Sequence, residues 1–125
     1  MLHGRRILIV EDELLVALET KTLVWGFGGI VVGQYARVAA ALEAIQVHPL
    51  DGAILDVNVA GMLSFVVADA LRDRRVPFVF CTAYGREIVP PRHRDAPVLE
   101  KPLVPEALIS ELSRVLNVRS DEPAR

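Results

Sequence analysis

Residues 7–13 read Ile7-Leu8-Ile9-Val10-Glu11-Asp12-Glu13. Four apolar residues, three of them β-branched, stop abruptly at three acids. A strand that is apolar at every position is buried on both faces, as the strands of a parallel sheet are. The same pattern recurs along the chain. Ala53-Ile54-Leu55 ends at Asp56, and Phe78-Val79-Phe80-Cys81 ends at Thr82. Ile30-Val31-Val32 and Pro97-Val98-Leu99 complete five strand-like runs.

Helical patterns fill the gaps. One runs from Leu14 to about Trp25 and is closed by Gly26, Gly28 and Gly29. Val38, Ala41, Leu42 and Ile45 share the i, i+3, i+4, i+7 spacing of one helix face, which His48-Pro49 ends. Leu63, Val66, Val67 and Ala70 repeat that spacing, with Arg72, Arg74 and Arg75 where cations suit a helix C-terminus. Tyr84 to Asp95 is the least regular stretch, and Pro90-Pro91 forbids a continuous helix there. A last helix, lined by Leu108, Leu112 and Val115, begins near Pro105. Five-fold alternation predicts an α/β fold: a doubly wound five-stranded parallel sheet flanked by helices, the fourth helix short or irregular. The domain is expected over 1–118, with 119–125 as a polar C-terminal tail; Trp25 is expected to pack in the core or at its edge.

Composition narrows the function classes. A chain of 125 residues that is 52% hydrophobic is one folded domain, and a mean hydropathy of +0.36 excludes disorder. A net charge of −2 gives no electrostatic basis for binding nucleic acid or an anionic membrane. The single cysteine, Cys81, excludes a disulfide framework and reads as a small core residue in a reducing compartment. The longest uncharged stretch, Thr22 to Ala36, is glycine-broken and shorter than the ~20 apolar residues that span a bilayer. No signal-peptide pattern opens the chain. A soluble cytoplasmic protein is expected.

Ligands of a doubly wound sheet bind at the C-terminal ends of its strands. Those ends carry Glu11, Asp12 and Glu13, then Asp56 with Asn58 two residues on, then Thr82 and Ala83, then Glu100, Lys101 and Pro102. Clustered carboxylates raise one another's pKa, and a hard dication such as Mg²⁺ relieves the repulsion. Lys101 offers a point charge and Thr82 a hydroxyl donor for phosphoryl oxygens. An aspartate can attack phosphorus to form an acyl phosphate. Singly, each residue has a plainer reading: a helix-capping charge, a turn aspartate, a strand end, a surface lysine. His3, His48 and His93 are scattered and suggest no metal or catalytic cluster.

Taken together, Glu11-Asp12, Asp56, Thr82 and Lys101-Pro102, each at a strand end and in this order, resemble the CheY-like receiver domain of two-component response regulators. The spacing of 44 from Asp12 to Asp56 matches that family. The resemblance implies that Asp56 is the phosphoacceptor. It implies Mg²⁺ held by Asp12, Asp56 and the Asn58 carbonyl, with Glu11 acting through water. Thr82, Ala83 and Lys101 would bind the phosphoryl group, and the bond before Pro102 would be cis. The protein would catalyse only its own phosphotransfer and autodephosphorylation. A sensor histidine kinase would be its phosphodonor. Output would be by protein contact with an unknown partner, or the domain would act as a phosphate sink. Phe80-Cys81-Thr82-Ala83-Tyr84-Gly85 further resembles the FATGUY subfamily of single-domain receivers, served by kinases of the HWE or related class.

Three departures stand out. Val98 occupies the position of the usual switch aromatic, so Thr82 cannot couple to it in the common way, and Tyr84 is the candidate replacement. Ala60 stands where a proline is common. The span from Thr82 to Lys101 is short. A phosphorylation-independent binding module and an aspartyl-phosphate phosphatase remain alternatives. Asn58 stands where such a phosphatase wants an acid. A flavodoxin-like cofactor binder fits less well, because Glu11-Asp12-Glu13 would repel a bare phosphate. A homodimer through the last helix is left open.

Overall fold

The computed structural model describes residues 1–120. Alternation along each strand sends side chains to opposite faces, and in the three central strands both faces are buried. Strand β1 (Arg6–Val10) points Leu8 and Val10 into one core and Ile7 and Ile9 into the other. Strand β3 (Gly52–Asp56) and strand β6 (Phe78–Thr82) do the same, with Leu55 and Phe80 on the first side and Ile54 and Val79 on the second. Strands β2 (Ile30–Tyr35) and β7 (Val98–Glu100) are the edges of a five-stranded sheet of order β2-β1-β3-β6-β7, every pair parallel. The expected α/β architecture is the observed one.

Helices α2 (Val38–Val47) and α3 (Phe65–Asp73) cover the first face. Helices α1 (Leu14–Gly26) and α4 (Pro105–Ser120) cover the second. No helix among the described residues is long and apolar enough to cross a membrane. In α2 the expected face is observed, with Val38, Ala41 and Ile45 buried and Leu42 packed on them. The segment expected as a fourth helix is two 3₁₀ turns, Arg86–Ile88 and Pro91–His93, as Pro90-Pro91 requires.

Several local expectations are corrected. Strand β2 runs three residues beyond Val32, carried by a register shift that leaves Val32 unpaired between Ile7↔Val31 and Leu8↔Gly33. Gly33 leaves room there for the ring of Tyr35, which folds back over it; a Cβ would lie 2.6 Å from that ring and displace it. The buried face of α3 is Val67, Ala68 and Leu71, whereas Leu63 and Val66 are exposed. Leu63 is not helical at all. It belongs to a two-strand hairpin, β4 (Asn58–Val59) and β5 (Met62–Leu63), which pushes the start of α3 to Phe65. Trp25 lies on the surface, 54% exposed, with the Lys21 ammonium 5.3 Å from its ring centroid. Helix α4 continues through residues 119 and 120, since no Gly or Pro interrupts it before Pro123. The rest of the expected tail, 121–125, lies outside the described residues.

Candidate functional site

Four parallel strands end at one sheet edge, so their next residues meet there. An open cleft of about 310 Å³ is lined by Asp12, Asp56, Asn58, Thr82, Ala83, Tyr84 and Lys101, all expected from sequence, and by Glu13 and Gly61. Glu11 lies beneath, 5% exposed.

Lys101 Nζ donates to Asp56 Oδ2 and to Glu11 Oε1, each at 3.0 Å. Glu11 Oε2 accepts the backbone N–H of Glu13 at 3.1 Å. Asp12 Oδ2 accepts the backbone N–H of Ala60 at 3.0 Å. Burial, with Glu11 nearby, pushes the Asp56 carboxyl up to about 6 against the opposing pull of Lys101. Burial works against the Lys101 charge, yet its bonds to Glu11 and Asp56 raise its pKa above the ordinary lysine value. One cation therefore serves two buried acids, with Asp12 exposed beside them.

One carboxylate oxygen from each of Glu11, Asp12 and Asp56 lies within 4.8 Å of the others. All-oxygen donors in excess of their lysine counter-charge suit a hard dication that keeps several waters. The residues present therefore fit the Mg²⁺ that the resemblance implies.

The hairpin beside Asp56 turns on Ala60 and Gly61, whose φ values are +51° and +84°. Two positive φ values in a two-residue loop make the turn that matches the twist of a hairpin. Proline, locked near −65° and lacking an N–H, could neither adopt this conformation nor bond Asp12. That is the physical reason for the departure noted at Ala60. Asn58 Oδ1 accepts the Gly61 N–H at 3.1 Å and steadies the same turn.

Thr82 is 1% exposed, and its Oγ1 accepts the Tyr84 N–H at 2.9 Å. Lys101 N–H donates to Thr82 O at 2.7 Å, and the Lys101-Pro102 bond is cis as expected. Tyr84 is 55% exposed, and Val98 packs half-buried against the core shared with α2 and α3. Cys81 is buried, and burial pushes its thiol up to about 12, so it is an inert core group.

Two features escaped the sequence reading. His93, taken as one of three scattered histidines, is wholly buried. Its Nδ1 accepts Arg72 Nε–H at 2.9 Å, which leaves Nε2–H to donate to Asp69 Oδ1 at 2.7 Å. Arg92 also pairs with Asp69, and Arg72 with Asp95. These bonds fasten the irregular 84–97 segment to α3. The second is Ser64, whose buried hydroxyl donates to the Asp56 carbonyl oxygen at 2.6 Å. A serine before an apolar run signals a helix cap, and no sequence pattern distinguishes that use from this one.

Fold and site together define an α/β domain built around one aspartate held between a lysine and two further acids. No protein-family model matches the chain. It is 33% identical over 114 residues to the phyllosphere-induced regulator PhyR of Methylorubrum extorquens, covering 88% of this chain. The chain spans 43% of that relative's length. The solution structure of SdrG from Sphingomonas melonis Fr1 is 38% identical, with a TM-score of 0.80 over 94% of this chain and 99% of that one. The receiver domain of Erythrobacter litoralis PhyR is 25% identical, with a TM-score of 0.85 over 98% of both chains. The chain belongs to the CheY-like receiver-domain family of response regulators.

Proposed function

We propose that this domain accepts a phosphoryl group on Asp56 from a histidine kinase and passes the signal on by protein contact. The observation that carries the reading is Asp56 itself: a nearly buried carboxylate facing the cleft, 3.0 Å from Lys101 and grouped with Glu11 and Asp12. An Asp56 oxygen attacks phosphorus, forming the P–O bond of an acyl phosphate as the bond from phosphorus to the donor histidine nitrogen breaks. Asp56 must be ionised to do so, and Lys101 favours that form. Lys101 then transfers its hydrogen bond from the carboxylate to a phosphoryl oxygen, and the Thr82 hydroxyl and Ala83 N–H supply further donors. Asp12, Asp56 and the Asn58 carbonyl, with Glu11 through water, are the residues that would hold Mg²⁺. An ion bound there would supply neutralisation of charge on the transferring group.

The finer reading is a FATGUY-type, cytoplasmic receiver served by an HWE-class kinase. It drives an output partner or drains phosphate from a shared kinase. One observation favours the alternative of a phosphorylation-independent module: Val98 leaves Thr82 without an aromatic switch, and Tyr84 lies mostly exposed. The test is intact mass after incubation with acetyl phosphate, with and without Mg²⁺, alongside Asp56→Ala. One added phosphoryl group that needs both Mg²⁺ and Asp56 supports acceptance. No adduct, together with no spectral response to beryllofluoride, leaves the binding module.

A further inference from the structure

Ser64 occupies the N-cap position of α3 but makes no side-chain cap. Its hydroxyl is turned away from the helix, onto the backbone of the proposed phosphoacceptor. Oγ–H donates to Asp56 O at 2.6 Å, and the Ser64 N–H donates to Val57 O at 2.9 Å. The Ser64 carbonyl accepts the N–H groups of Val67 and Ala68 at 2.9 and 3.1 Å. The side chain is wholly buried, so water cannot substitute for it.

Strand pairing does only part of this job: it holds the N–H end of the Asp56–Val57 peptide, where the Val57 N–H donates to Cys81 O on β6 at 2.9 Å. The β1–β3 ladder ends at Val10↔Leu55, and Asp56 pairs only with Cys81 on β6. The Asp56–Val57 peptide is a rigid plane. Cys81 O holds one end of that plane and the Ser64 hydroxyl the other, and together they fix ψ of Asp56 and the path of the chain toward Asn58. They thereby set where the Asp56 carboxylate stands relative to Lys101 and Asp12.

We propose that Ser64 is a positioning residue. Its hydroxyl, through the Asp56 carbonyl, holds the Asp56 carboxylate in register with Lys101, Asp12 and the Asn58 carbonyl. This rests on the reading of Asp56 as phosphoacceptor. Hydrogen-bond partners behind metal ligands commonly govern affinity and rate by about tenfold or more, and small displacements of a reacting group cost rate on a similar scale.

The experiment compares wild type with Ser64→Ala, Ser64→Thr and Ser64→Cys. Threonine keeps the strong donor, while cysteine keeps the bulk with only a weak one. Two quantities are read well below each variant's unfolding midpoint: the rate of phosphoryl acceptance from acetyl phosphate by intact mass, and Mg²⁺ affinity by calorimetry with the metal alone. Ser64→Thr should stay within about threefold of wild type, while Ser64→Ala and Ser64→Cys lose about tenfold in both. A purely structural role would lower the unfolding midpoint and leave the folded variants' rates and affinities alike. Ser64→Ala and Ser64→Cys within twofold of wild type in both readouts would overturn the proposal. If Ser64→Ala does not fold, Ser64→Cys against wild type decides. A wild type that takes no Asp56-dependent phosphoryl group refutes the functional reading instead, and the Mg²⁺ titration still reports on Ser64.

Discussion

Lys101 Nζ lies 3.0 Å from Asp56 Oδ2, joining residues 45 apart in sequence across the mouth of the sheet. Lys101 is the only cation that the described ion pairs give to Asp56 and to Glu11. Lys101→Met therefore leaves two nearly buried acids facing each other. The expected result is a rise in the Asp56 pKa above about 6. Phosphoryl acceptance should fall about a hundredfold at neutral pH. Carboxyl NMR titration and a mass-based time course check the two halves separately.

Asp56 binds its proton more tightly in the folded chain, where its pKa is raised from 3.8 to about 6. The folded state then carries the greater share of protons between those values, so stability from this group is present below pH 3.8 and is lost as pH rises through 6. Asp56→Asn should match wild type near pH 3.8 and be more stable above pH 6, by roughly 2 kcal/mol without Mg²⁺. Urea midpoints across pH 3.5–8 measure the difference. A variant less stable than wild type at pH 7.5 would contradict it. Added Mg²⁺ should stabilise wild type and narrow the gap, because a ligand that binds only the folded state shifts the equilibrium toward it.

Ala60 holds φ +51° and donates its N–H to Asp12. Ala60→Pro forbids the first and removes the second, and should cost about 3 kcal/mol or more. Ala60→Asn creates the Asn-Gly pair that this turn prefers, and should gain about 0.5 kcal/mol. Denaturant unfolding distinguishes the two signs.

His93 joins Asp69 and Arg72 at the centre of the bonds between α3 and the 84–97 segment. Phe65, Phe78 and Phe80 surround its ring at centroid distances of 5.8–6.4 Å. His93→Leu keeps an apolar body but leaves Arg72 Nε and one bond to Asp69 unmet, at a cost of roughly 2 kcal/mol. Hydrogen exchange should rise over 84–97 before it rises in β6. Uniform loss of protection across the sheet would contradict this local role.

How far the sequence could be read depended on the range of the interaction. Five apolar runs, four of them followed by a polar residue, were enough for a parallel α/β sheet, because a central strand buried on both faces needs apolar residues at every position. The same rule brought Asp12, Asp56, Thr82 and Lys101 to one edge, since every parallel strand delivers its next residue to the same side. The helical spacing that included Leu63 failed because the Ala60-Gly61 turn, with two positive φ values, makes a hairpin there.

Sequence by itself thus determined the architecture, the ends of the four strands that carry the site and the acid–lysine constellation, all of which follow from periodicity and order along the chain. Only the tertiary structure decided that Ser64 holds Asp56 rather than capping α3, and that His93 is the buried link between α3 and the irregular segment. It also decided that Trp25 stays at the surface. The reason is the same for each: the partner of a hydroxyl, an imidazole or an indole is set by which elements pack together, and the residues flanking it in the chain carry no record of that choice.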